Sequence, residues 1–116
     1  MKKKKVFEEN YLDRIPVRNP ALRWTTDAAG MVTLEIDNTG AFNRVAQVLL
    51  KKPKISYIHL DENGSFVWPL IDGETTILDI GAAVNDRFGE AAHPLYERLA
   101  EFFRVLESYR FIQWKA

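Results

Sequence analysis

His59 and His93 are the two imidazoles in a chain of 116 residues that contains no cysteine. They stand far apart in sequence, and neither has a second ligand type at the spacing a metal site uses. Nothing in the pattern supplies a general base or a metal ligand set, so a structural or surface role is expected for both. The absence of thiols excludes disulfides and cysteine nucleophiles and suits a reducing compartment such as the cytoplasm. Gly64, Gly73, Gly81 and Gly89 do not form a phosphate-cradling loop and fall where helices start, end or pack. Asp61 and Glu62 fit the positive end of a helix dipole better than an acid/base pair. The chain is expected to be no enzyme and to hold no cofactor and no metal.

What remains with a chemical use is main-chain pairing and apolar surface. Residues 55–60 read as a strand with apolar residues on both faces: Ser56, Ile58 and Leu60 on one, Ile55, Tyr57 and His59 on the other. Such a strand is either sandwiched or offers a face to a partner. At a sheet edge its free N–H and C=O groups can accept an extended peptide as an added strand. The last helix gives a second sign. At 100° per residue, Leu95, Leu99, Phe102 and Leu106 centre an apolar face. Tyr96, Ala100 and Phe103 widen it on one flank, Val105 and Tyr109 on the other, well past the roughly 100° stripe that one core requires. Either a partner or another part of the chain covers the extra width.

The elements that must position these residues follow from period and punctuation. Residues 1–21 lack a period and carry Pro16 and Pro20, which predicts an extended N-terminal arm. Alternation over residues 22–26 and 32–36, joined through Gly30, predicts a β-hairpin. Phe42, Val45, Ala46 and Leu49 predict a short helix within residues 40–52, stopped by Pro53, with a strand through Val45 to Leu50 as the alternative. After the strand at 55–60, Asp61 caps a helix that Pro69 should kink or end early. Thr76 with Asp79 resembles a capping box for the next helix, which Gly89 closes. Pro94 opens the last helix, which runs to about Tyr109, and residues 111–115 alternate as a terminal strand. The fold class expected is α+β, winged helix-turn-helix-like: an N-terminal β-hairpin and third strand, then three helices. Residues 22–116 form one domain behind the arm.

Composition agrees with a folded single domain, 47% apolar and 28% charged. Sixteen basic residues meet sixteen acidic ones, which argues against nucleic acid as the main partner, since phosphate neutralisation needs a basic excess. Lys2 to Lys5 are followed by no apolar core segment, so they open no signal peptide, and no run is long enough to cross a bilayer.

Within this frame, residues 59–68 (His-Leu-Asp-Glu-Asn-Gly-Ser-Phe-Val-Trp) resemble the stretch that joins the third strand to the first helix in PqqD-like proteins. Residues 70–76 (Leu-Ile-Asp-Gly-Glu-Thr-Thr) resemble the segment that follows, and Ile77, Ile80 and Val84, ending at Phe88 and Gly89, match the next helix. The resemblance covers roughly residues 55 to 112. It implies a RiPP recognition element: a winged helix-turn-helix domain that binds the leader of a ribosomally made precursor peptide. Such a domain presents the peptide to a modifying enzyme, often a radical S-adenosylmethionine protein. Carried over, the leader lies beside Ile55, Ser56, Tyr57, Ile58, His59 and Leu60. It rests on a helix face drawn from Tyr96, Leu99, Ala100 and Phe103, with Arg104 or Arg98 for acidic leader residues. The longer connection over residues 39–54, Pro69 and the N-terminal arm lie outside the resemblance.

Two other readings use the same elements. A DNA-binding winged helix needs a basic recognition helix, but the last helix mixes Arg98, Arg104 and Arg110 with Glu97, Glu101 and Glu107. A homodimer would pair the strand edge with its own copy.

Overall fold

The computed structural model of the chain describes residues 9–37 and 55–116. The helix expected within residues 40–52 lies outside them. The hairpin forms as its alternation requires: β2 (Arg23–Thr26) pairs antiparallel with β3 (Val32–Asp37). Its turn is closed by the Asp27 carboxylate, which accepts from the Ala29 and Met31 amides, and by Gly30 at φ 84°. A positive φ is costly for residues with a Cβ, which explains glycine there. Val32 and Leu34 face the core, and β4 (Ile55–His59) pairs antiparallel with β3 in the sheet order β2-β3-β4.

The helices follow their caps. Asp61 accepts from the Gly64 amide at 2.8 Å to open α2 (Glu62–Val67). Pro69 then ends the α-helix early, and the chain tightens into a 3₁₀ turn over Trp68–Leu70. Thr76 accepts from the Asp79 amide at 3.1 Å to open α3 (Ile77–Phe88). Gly89, at φ 59°, ends it and leads into a second 3₁₀ turn, Gly89–Ala92. Pro94 precedes α4 (Leu95–Ser108), and β5 (Ile112–Trp114) ends the chain as alternation predicted.

The N-terminal arm differs from its expected form. From Glu9 onward it forms two short elements instead of an extended stretch, with Tyr11 and Leu12 packed half-buried against the core and Pro16 buried. α1 (Glu9–Leu12) precedes β1 (Pro16–Arg18), and β1 pairs antiparallel with β5. The Arg14 carbonyl accepts from the Ile77 amide at 3.0 Å, and Arg14 lies over the Trp114 ring at 4.4 Å. The core joins Val32 and Leu34 of the sheet to Trp68, Ile77, Ile80, Phe103 and Leu106 of the helices. Each fully buried side chain of this size contributes about 1.5–3 kcal/mol. No described helix is long and apolar enough to cross a membrane.

This packing also accounts for the over-wide apolar arc of α4. One flank is covered by the chain itself: Phe103 is 0% exposed and meets Trp114 of β5 at 6.0 Å between ring centroids. On the other flank Val105 is 37% and Tyr109 65% exposed.

Candidate functional site

Hydrogen-bond phase decides which groups of β4 face outward. In an antiparallel pair, residues alternate between those bonded to the neighbouring strand and those pointing away from it. The Leu60 amide donates to the Val32 carbonyl at 2.9 Å, and the register sets Ile58 opposite Leu34 and Ser56 opposite Ile36. Ser56 and Ile58 therefore bond to β3. The N–H and C=O groups of Ile55, Tyr57 and His59 point to the outer edge, where no described strand pairs with them.

The side chains sort by the same period. Leu34 and Ile36 are opposite Ile58 and Ser56 on the core face, and Ile58 is still 36% exposed because it stands at the rim. Ile55, Tyr57 and His59 share the outer face with Thr33 and Glu35. Tyr57 is 58% exposed, and the His59 Nδ1 is 2.9 Å from the Thr33 hydroxyl. Both faces of the strand carry exposed apolar surface, as its sequence implied.

Past the end of β4 the chain turns into α2 under the flank of α4. A Cβ at Gly64 would lie 3.3 Å from Phe102 Cε1 and 3.4 Å from Leu60 Cβ. Glycine there lets Phe102 lie close against the strand–helix junction. An open cleft of about 140 Å³ continues from this point between α2, α3 and the start of α4.

The helix residues expected at the ligand face divide. Leu99, Ala100 and Phe103 are buried and fill the core. Tyr96 is half-buried, and its hydroxyl donates to the Leu78 carbonyl at 3.3 Å across the contact between α3 and α4. Burial raises its pKa above the ordinary tyrosine value, with a smaller contribution from Asp79. Arg104 is exposed but held by Glu101 through two hydrogen bonds of 3.2 and 2.6 Å. Arg98 donates to the Ala91 carbonyl at 2.9 Å and lines the cleft. The exposed apolar residues on this side are instead Val105 of α4 and Tyr109 just past its end, and Phe102 is half-buried at the cleft. Sequence placed all three on the helix's apolar arc. It did not reveal which flank the terminal strand would cover.

Among the described residues, no group of three or more His, Cys, Asp or Glu side chains could hold a metal ion. The described residues form a small α+β fold: a three-stranded sheet in which no described strand pairs with the outer edge of β4, a two-stranded sheet of β1 and β5, and the helices α1 to α4. The sequence profile of the family described as coenzyme PQQ synthesis protein D (PqqD) matches residues 46–112, more than half of the chain. The chain belongs to this family. No curated protein and no solved structure matches it.

Proposed function

We propose that this protein is a non-catalytic adaptor that binds an extended peptide by strand addition to β4 and holds it for a modifying enzyme. The observation that carries this reading is the outward phase of Ile55, Tyr57 and His59: three successive edge positions with donors and acceptors unpaired among the described strands, beside exposed Ile58. An added strand satisfies those groups and covers the apolar rim in one step. Membership of the PqqD family supports the rest. It fits an accessory protein without catalysis of its own, whose ligand is a ribosomally made precursor peptide. The enzyme it serves is expected to be of the radical S-adenosylmethionine type. The strand of the arm, Pro16–Arg18, pairs with β5 and not with β4.

The test is a selection of displayed random peptides on the full chain, followed by titration of an enriched sequence into the isotope-labelled protein. Shifts and exchange protection at the amides of Ile55, Tyr57 and His59 are expected. A tight ligand that leaves those three amides unchanged would refute strand addition. Retention of non-specific DNA duplex at low salt, with no peptide enriched, would transfer the fold to the winged-helix DNA reading.

A further inference from the structure

The cleft that begins where β4 ends is apolar inside, open to solvent and polar at its border. Its buried lining is apolar, from Val67, Val84, Ala92 and Leu99, and half-buried Leu95 and Phe102 flank it. Its volume of about 140 Å³ is close to that of an engineered apolar cavity of about 150 Å³ that binds benzene. One leucine, isoleucine, methionine or phenylalanine side chain would fill it. Two polar groups matter at its border. The Asp61 carboxylate is engaged by the Gly64 amide. The Arg98 guanidinium is exposed and spends one N–H on the Ala91 carbonyl. Its other donors make no hydrogen bond among the described residues, unlike those of Arg104, which Glu101 holds in a two-pronged ion pair. Beside an apolar cleft, a cation with unused donors is complementary to a carboxylate.

Position links the cleft to the open edge. Asp61 lies two residues beyond His59, and Gly64 touches both the Leu60 and Phe102 environments. The cleft lining therefore begins at Asp61, where the chain leaves the strand that offers the edge.

We infer that this cleft is the selectivity pocket of the peptide site: it takes one large aliphatic or phenyl side chain of the bound peptide, with an adjacent Asp or Glu held by Arg98. The inference rests on strand addition to β4 and goes further, because it states which sequences are chosen among all that can form a strand. Main-chain pairing at the edge is blind to sequence, whereas the cleft and Arg98 are not.

The experiment repeats the random-peptide selection on wild type, Ala92→Leu and Arg98→Glu. Wild type is expected to enrich Leu, Ile, Met or Phe within two positions of Asp or Glu, and the consensus peptide should shift the amides of Gly64, Leu99 and Phe102. Ala92→Leu fills the cleft from within and should weaken that peptide tenfold or more. Arg98→Glu alters only an exposed side chain, and its selection should exchange the acidic position for Lys or Arg. A consensus that shifts residues 55–59 alone, and binds both variants like wild type, overturns the pocket and leaves strand addition standing. Enrichment of no peptide overturns both.

Discussion

The Ser65 hydroxyl is inserted into the ladder between β3 and β4: it accepts from the Val32 amide at 2.8 Å and donates to the Leu60 carbonyl at 3.3 Å. Val32 and Leu60 are opposite partners that already share one direct bond, Leu60 N–H to Val32 C=O. The second bond of that pair is replaced by a relay through α2. One buried side chain thus ties the helix to β3 and to the end of β4.

Ser65→Ala is therefore expected to cost about 1–3 kcal/mol, because it leaves a buried amide without its acceptor. Urea unfolding should show the lower midpoint with an unchanged slope. Hydrogen exchange should accelerate at Val32 more than at Leu34, which pairs directly with Ile58.

Pro69 breaks α2 and leaves carbonyls to satisfy, and Arg18 from the arm satisfies two of them. Its guanidinium donates to the Trp68 carbonyl at 3.2 Å and the Pro69 carbonyl at 3.3 Å, and lies 5.0 Å over the Trp24 ring. Arg18→Ala should lower stability by about 1–2 kcal/mol, less than a fully buried charged hydrogen bond because the site is partly exposed. Arg18→Lys should recover less than half of the loss, since an ammonium lacks the planar fork. Thermal unfolding of the three proteins decides this.

Acid should weaken the turn between the 3₁₀ segment and α3. The Asp72 carboxylate accepts from the Glu74 amide, the Thr75 hydroxyl and the Thr75 amide, at 2.9, 3.0 and 2.9 Å. These bonds, the Glu74 amide foremost, hold its pKa below the ordinary aspartate value. A depressed folded-state pKa gives stabilisation that is complete above the unfolded-state pKa and is lost as pH falls through the folded one. The stability difference between wild type and Asp72→Asn should stay constant at neutral pH and shrink below about pH 4. A difference that instead grows on acidification would reverse the sign.

Opposite flanks of α4 should respond differently to truncation. Phe103 is fully buried, so Phe103→Ala should cost about 3–5 kcal/mol. Val105, two residues on and exposed, should change stability by less than about 0.5 kcal/mol on conversion to Ala. Denaturant midpoints separate the two outcomes. A charge at Phe103 would unfold the domain instead of testing a surface, so binding variants belong at Val105 or Arg98.

That contrast also marks where the sequence stopped being informative. Short-range signals sufficed for the hairpin through Gly30, the caps at Asp61 and Thr76, the stops at Pro69 and Gly89 and the strand at β4, because each depends on neighbouring residues. Arg18 reaching Trp68, β1 pairing with β5, and Trp114 covering Phe103 join residues distant along the chain. No local period encodes those pairings. The candidate site was therefore half legible. Period 2 identified β4 as two-faced, whereas the flank of α4 left exposed depended on which side the terminal strand took.

Proline substitutions along β4 test the phase on which the site depends. Tyr57→Pro removes an amide that points to the open edge, where proline is tolerated, and should change stability by no more than about 1 kcal/mol. Ile58→Pro removes an amide that bonds to Leu34 and should cost at least about 2 kcal/mol. The binding consequence is the reverse of the stability one. Tyr57→Pro should remain folded by circular dichroism yet lose peptide binding by tenfold or more, because an added strand loses a central donor. If Tyr57→Pro unfolds and Ile58→Pro does not, the outward and inward residues are exchanged, and the edge presents Ser56 and Ile58 in place of Ile55, Tyr57 and His59.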